Sequence, residues 1–167
     1  MINIAVCDDE KCMAEKIEKM AENFFRKKRT EISIIKYSSG EGLLKSNERT
    51  EILLLDIGMR GMDGIETARR LRGNGYDGFL IFITVLKEMV FQSFEVQPFD
   101  YLVKPVQEEH FEKTMERLVR SMPVPIAFQI VQIDQIASVA SEKSSVQLLF
   151  QLLNTFIVVN DLSRRQI

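Results

Sequence analysis

"LLLDIGMRGMDG" at Leu53–Gly64 carries the chain from an apolar run, through a carboxylate, into a helix start. Ile52–Leu55 is apolar at every position, the pattern of a strand buried on both faces. Asp56 ends the run. Asp63 and Glu66 form a D-x-x-E capping pair, which predicts a helix from there to about Arg72. Gly73, Gly75 and Gly78 predict its end and the turn beyond. A buried strand that hands over to a helix is the repeating half of a parallel sheet.

The same alternation recurs on both sides. Ile2–Cys7 predicts a first strand, and Met13, Ile17, Met20, Ala21 and Phe24 fall on one face of a helix that follows. Lys27, Lys28 and Arg29 close that helix, where cations suit the dipole, and read as a solvated end. Ile32–Tyr37 alternates as strand two. Ser39 to Ser46 reads as a short helix turning Leu43 and Leu44 inward. Phe79–Thr84 is strand four, and Met89, Val90, Phe91 and Phe94 have helical spacing. Phe99–Val103 is strand five, and Gln107–Ser121 is a last helix. Short apolar strands alternating with helices predict an α/β fold, a doubly wound five-stranded parallel sheet. Such sheets bind ligands at the carboxyl ends of their strands. Here those ends are Asp8-Asp9-Glu10, Asp56, Thr84 and Lys104.

Composition sets the boundaries of the reading. The chain has 167 residues, 46% of them hydrophobic, and a formal charge of −2, so no whole-chain basic signal points to nucleic acid. Two cysteines, Cys7 and Cys12, supply neither a disulfide framework nor a zinc spacing, which fits a cytoplasmic protein. Cys7 ends an apolar run and reads as a reduced core thiol. No apolar run reaches the ~18 residues of a membrane span. His110, the one histidine, reads as a surface residue. Beyond Met122 the charged residues are only Asp134, Glu142, Lys143, Asp161, Arg164 and Arg165, a net of zero. The predicted division is therefore a domain over 1–122, a Pro123-Val124-Pro125 linker, and a β-rich segment over 126–167.

Singly, each strand-end residue has a plain structural reading. Asp8-Asp9-Glu10 suits a helix N-terminus, Asp56 a loop, Lys104 solvent, Thr84 a strand end, and Tyr101 a half-buried core position. Together they describe a chemistry. Clustered carboxylates are tolerable around a hard cation such as Mg²⁺, which takes oxygen ligands. A hydroxyl and an ammonium beside them suit phosphoryl oxygens.

Asp8-Asp9-Glu10, Leu53–Gly64, Thr84 and "FDYLVKP" at Phe99–Pro105 resemble the response-regulator receiver family over residues 1–122. The resemblance implies that Asp56 is the phosphoacceptor. It implies that Asp9 binds Mg²⁺ directly, Asp8 largely through water, and Gly58 through its backbone carbonyl. Lys104 would hold one phosphoryl oxygen and Thr84 would turn toward another, with Tyr101 following inward. The Lys104–Pro105 peptide would be cis. Two positions depart from the family. Arg60 replaces a usual proline, which predicts a less pre-organised loop, and Val85 replaces a small residue, which narrows access to the phosphate.

"IAVCDDE" and "FDYLVKP" resemble the subgroup with a LytTR-type DNA-binding output. "IDQIASV" at Ile133–Val139 and "TFIVVNDLSRRQI" at Thr155–Ile167 resemble parts of that output domain, though the segment is about half its length. The implied function is signal relay from a sensor histidine kinase, coupled to homodimerisation through the helix at 89–94 and the last strand. Transcription control follows only if the native protein carries a complete output domain. As given, the chain is expected not to bind DNA specifically, and segment 126–167 is expected to promote self-association. A rival reading is a stand-alone receiver acting by protein contact or as a phosphate sink. A haloacid-dehalogenase-like phosphatase is disfavoured, because that family needs a second aspartate where Gly58 stands.

Overall fold

A computed structural model of the chain describes residues 1–85 and 95–122. The expected helix at 89–94, Leu86, the 123–125 linker and the strands of 126–167 lie outside the described residues.

Five strands form one parallel sheet: β1 Ile2–Cys7, β2 Ile32–Tyr37, β3 Ile52–Leu55, β4 Phe79–Thr84 and β5 Asp100–Val103. Their order is β2-β1-β3-β4-β5. The described helices are α1 Lys11–Lys27, α2 Gly40–Leu44, α3 Gly64–Gly73 and α4 Glu108–Ser121. α1 packs with α4, and α2 with α3. The expected doubly wound α/β sheet is present. The strand order reverses at β1, with β2 on one side and β3 on the other.

The sheet is apolar on both faces because its strands carry apolar residues at consecutive positions. Ala5, Cys7, Leu53, Leu55, Leu80 and Phe82 join Leu43, Ile57, Ile65, Ala68 and Val96 in one buried cluster. Ile4, Val6, Ile52, Leu54, Ile81 and Ile83 alternate with these, are also buried, and so point to the opposite face. Each fully buried aliphatic side chain stabilises the fold by about 1.5–3 kcal/mol.

Several boundaries and faces differ from expectation. β5 starts at Asp100 rather than Phe99, α4 at Glu108 rather than Gln107, and α2 is confined to Gly40–Leu44 between Ser39 and Lys45. On α1 the buried residues are Ala14, Ile17, Ala21, Phe24 and Phe25, whereas Met13 and Met20 are half-buried. The inner face thus combines small Ala14 and Ala21 with the bulky Phe24 and Phe25. Leu44 is only half-buried, while Leu43 is buried. Lys27 and Lys28 are not merely solvated. Their ammonium groups reach Glu112 and Glu116 of α4 at 2.5 and 3.0 Å. Asp63 caps α3 as predicted, its carboxylate accepting from the Glu66 N–H at 2.8 Å. Glu66 is bonded by Arg69 and Arg70.

Gly64 matters for the site. A Cβ there would lie 2.1 Å from the Asp56 carbonyl oxygen and 2.8 Å from Ile57 Cα. The first turn of α3 therefore rests directly on the backbone that carries Asp56. Gly64→Ala is expected to destabilise by about 3 kcal/mol or more, since backbone must move. Gly73→Ala, whose Cβ would meet nothing within 4 Å, is expected to be neutral or slightly stabilising. Urea unfolding of the two variants side by side checks this.

Candidate functional site

Strand register builds the site. Cys7 pairs with Tyr37 and Leu55, Leu55 with Phe82, and Phe82 with Tyr101. Asp8 and Asp56 each stand one residue beyond this row. Each is still tied to its neighbour strand: the Asp8 N–H donates to Tyr37 at 3.0 Å and the Asp56 N–H to Cys7 at 2.9 Å. β4 and β5 run two residues further, to Thr84 and Val103. The Lys104 N–H then donates to the Thr84 carbonyl at 2.9 Å. The ladder thus fixes the backbone of every one of these residues before any side chain is considered.

The side chains converge. Asp8, Asp9 and Asp56 each place a carboxylate oxygen within 4.8 Å of the others. Lys104 Nζ donates to Asp8 Oδ2 at 2.7 Å and to Asp56 Oδ2 at 2.8 Å. All three of these side chains are nearly inaccessible to water. The remaining oxygens are also engaged: Asp8 Oδ1 accepts from the Glu10 N–H at 2.9 Å and Asp56 Oδ1 from the Gly58 N–H at 3.2 Å. Among the described residues no buried side-chain polar atom lacks a partner.

Charge does not balance. Among the described residues, three carboxylates face a single buried ammonium. Burial is the chief influence that pushes the Asp8 carboxyl above its ordinary value, partly countered by Lys104. Burial also pulls Lys104 down, but its hydrogen bonds to Asp56 and Asp8, and their charges, outweigh that and raise it. Beneath them, burial and then the charges of Asp8 and Asp56 push the Cys7 thiol up to about 12. Cys7 is therefore a protonated core thiol, and it donates to Met59 Sδ at 3.6 Å. Converging oxygen-only donors with surplus negative charge fit a hard divalent ion such as Mg²⁺.

The structure brings together the predicted Asp8, Asp9, Asp56 and Lys104. Thr84 is buried at the end of β4, beside the strand that delivers Lys104. Tyr101 is half-buried and stacks on Phe82, with ring centroids 5.6 Å apart. The Lys104–Pro105 peptide is cis. His110 is exposed, as expected. Val85 is 61% exposed.

The loop after Asp56 is more tightly held than expected. Besides the Gly58 contact, the Arg60 N–H donates to Asp9 Oδ2 at 3.2 Å and the Met62 N–H to Glu41 Oε1 at 3.2 Å. The Gly64 N–H closes the loop on the Ile57 carbonyl at 3.0 Å. Arg60 and Glu41 were missed as site residues. Glu41 lies on α2, and nothing in its local sequence points to residue 62.

The sequence matches the response regulator receiver domain family over residues 4–116. It is 31% identical over 121 residues to the transcriptional regulatory protein BtsR of Shigella flexneri, covering 71% of this chain and 48% of that protein. It is 38% identical over 73 residues to the sensory transduction protein LytT of Oceanobacillus iheyensis, covering 42% of this chain and 30% of that one. The chain spans about half the length, or less, of these curated relatives. Among solved structures, the BeF3-activated DrrB receiver domain aligns with a TM-score of 0.62 and 24% identity, over 72% of this chain and 98% of that one. The signal receiver domain of a modulated diguanylate cyclase from Desulfovibrio desulfuricans G20 aligns with a TM-score of 0.60 and 27% identity, over 71% and 93%.

Proposed function

The chain belongs to the response regulator receiver domain family, and from that premise we propose that it relays a phosphoryl group through Asp56 within a two-component system. The observation that carries this reading is Lys104 Nζ held between Asp8 Oδ2 and Asp56 Oδ2 at 2.7 and 2.8 Å. An ammonium so placed marks where phosphoryl oxygens arrive when Asp56 is the acceptor.

In this reading a sensor histidine kinase is the donor. A carboxylate oxygen of Asp56 attacks phosphorus, the new P–O bond forms as the P–N bond breaks, and the departing imidazole keeps the electron pair and takes up a proton. Lys104 exchanges Asp56 Oδ2 for a phosphoryl oxygen, and the Thr84 hydroxyl turns toward another. Asp8, Asp9, Asp56 and the Gly58 carbonyl would hold Mg²⁺, which supplies positive charge against the phosphoryl oxygens. Tyr101, packed on Phe82, follows Thr84 and repacks the β5 face. The chain acts as a phosphoacceptor in signalling rather than as a turnover enzyme. Intact mass after treatment with phosphoramidate tests the reading. One phosphoryl adduct is expected with Mg²⁺ and none in EDTA; full labelling in EDTA would remove the metal from it.

The phosphoryl group, once on Asp56, should persist. Hydrolysis needs a water in line behind phosphorus. Gly58 has no side chain to orient one, and the apolar side chain of Leu86, which lies outside the described residues, offers no hydrogen bond. A lifetime of many minutes is expected, followed by loss of the adduct mass over time after donor removal. Decay within seconds would count against it.

The output reading is dimerisation and transcription control in the cytoplasm, with 1–122 as receiver, 123–125 as linker and 126–167 as part of a LytTR-like output. The printed names of the relatives, a transcriptional regulatory protein and a sensory transduction protein, support the transcription part of it. DNA enters only with a complete output domain. The balanced charges of 123–167 favour the second reading, a receiver acting by protein contact or as a phosphate sink. Among the described residues no helix is long and apolar enough to cross a membrane.

A further inference from the structure

Arg60 approaches Asp9 twice. Its backbone N–H donates to Asp9 Oδ2 at 3.2 Å, and its guanidinium Nε lies 3.6 Å from the same oxygen. The side-chain contact needs the arginine, and the backbone contact needs any residue other than proline. Proline at this position would offer neither an N–H nor a charge. The contacts also shape the loop, which is drawn to Asp9 at residue 60 and to Glu41 of α2 at residue 62.

Asp9 belongs to the converging carboxylates. A hydrogen-bond donor and a cation on one of its oxygens compete with any metal ion for that carboxylate. We infer that Arg60 is a tethered competitor for the divalent cation. Its contacts to Asp9, and with them the 58–62 loop, are expected to loosen as Mg²⁺ binds. This inference rests on the reading of Asp8, Asp9 and Asp56 as the metal site.

The two contacts are unequal. The Arg60 side chain is 98% exposed, so water and salt screen its guanidinium. Asp9 is 19% exposed, and a backbone N–H on a carboxylate is a charge-assisted bond that needs no side-chain ordering. Most of the competition therefore comes from the N–H.

Calorimetric titration of Mg²⁺ into the full chain separates the terms. Arg60→Ala keeps the N–H and loses the charge, and is expected to bind about twofold more tightly, a gain that vanishes near ~1 M salt. Arg60→Pro loses both and is expected to bind roughly five- to tenfold more tightly. Amide exchange gives an independent readout: the Arg60 N–H should be protected in EDTA and lose protection in saturating Mg²⁺. A folded Arg60→Pro that binds Mg²⁺ no better than the parent would overturn the inference. So would an Arg60 amide whose protection ignores Mg²⁺, which decides the matter if the proline variant does not fold. Asp9→Asn separates the two levels of argument. If the parent binds Mg²⁺ and this variant does not, the metal-site reading stands whatever Arg60 does. If the parent binds none at millimolar concentrations, that reading and this inference fall together.

Discussion

Asp56→Asn is expected to abolish phosphorylation, a loss on the order of 10³-fold or more in rate, because the amide oxygen is a far poorer nucleophile than the carboxylate. Phosphoramidate with Mg²⁺ should add one phosphoryl group to the parent and none to the variant. The substitution leaves the fold intact for stated reasons. Asn has the same shape, the Asp56 N–H still donates to Cys7, and Lys104 still has Asp8. It also removes one of three crowded carboxylates. The metal-free variant should therefore melt no lower than the parent in EDTA. These two measurements together separate a chemical loss from an unfolded protein. Equal labelling of the variant would place the phosphoryl group elsewhere. A large fall in its melting temperature would mean that Asp56 is held for structure.

The fold was legible because its strands are short, apolar and punctuated. Ile52–Leu55 and Phe79–Thr84 can hardly be anything else, and Asp63 announces its helix. Asp8, Asp56 and Lys104 were legible because each follows the last residue of its strand, where a parallel sheet presents ligands. What escaped was every contact that depends on elements distant in sequence. The Lys27–Glu112 and Lys28–Glu116 pairs join residues more than eighty positions apart, so a basic helix end looked merely solvated. Met13 and Met20 have the right spacing for α1's inner face, but the choice between them and Ala14 and Phe25 depends on what lies opposite. Arg60 looked like a loosened loop because the missing proline was visible and the gained N–H was not. That donor acquires meaning only once Asp9, fifty-one residues earlier, is beside it.

Lys104→Met is expected to cost both chemistry and stability, and the pattern of loss identifies the cause. In EDTA at neutral pH the variant leaves Asp8 and Asp56 buried without their shared cation. Breaking such a pair typically costs about 3–5 kcal/mol. Acid should relieve the deficit. The Asp8 carboxyl already sits above its ordinary value through burial, and its chief lowering partner is Lys104, ahead of the Glu10 N–H. Without that partner it rises further. A carboxyl whose folded value exceeds its unfolded one binds its proton more tightly in the folded protein. Its stabilising contribution is full below the unfolded value and is lost as pH rises through the folded one. The variant should therefore fall furthest behind the parent at neutral pH and recover as pH is lowered into the carboxylate range. Mg²⁺ should narrow the neutral-pH gap as well, since it replaces the missing positive charge. It should not restore phosphorylation, which is expected to drop by roughly 10²–10³-fold for want of a donor to the transferring oxygens. Urea unfolding at several pH values, with and without Mg²⁺, and a phosphorylation time course provide the readouts. A stability deficit indifferent to both pH and Mg²⁺ would mean that Lys104 acts by packing its methylenes. Parent-like phosphorylation of a folded Lys104→Met would remove it from the phosphoryl site.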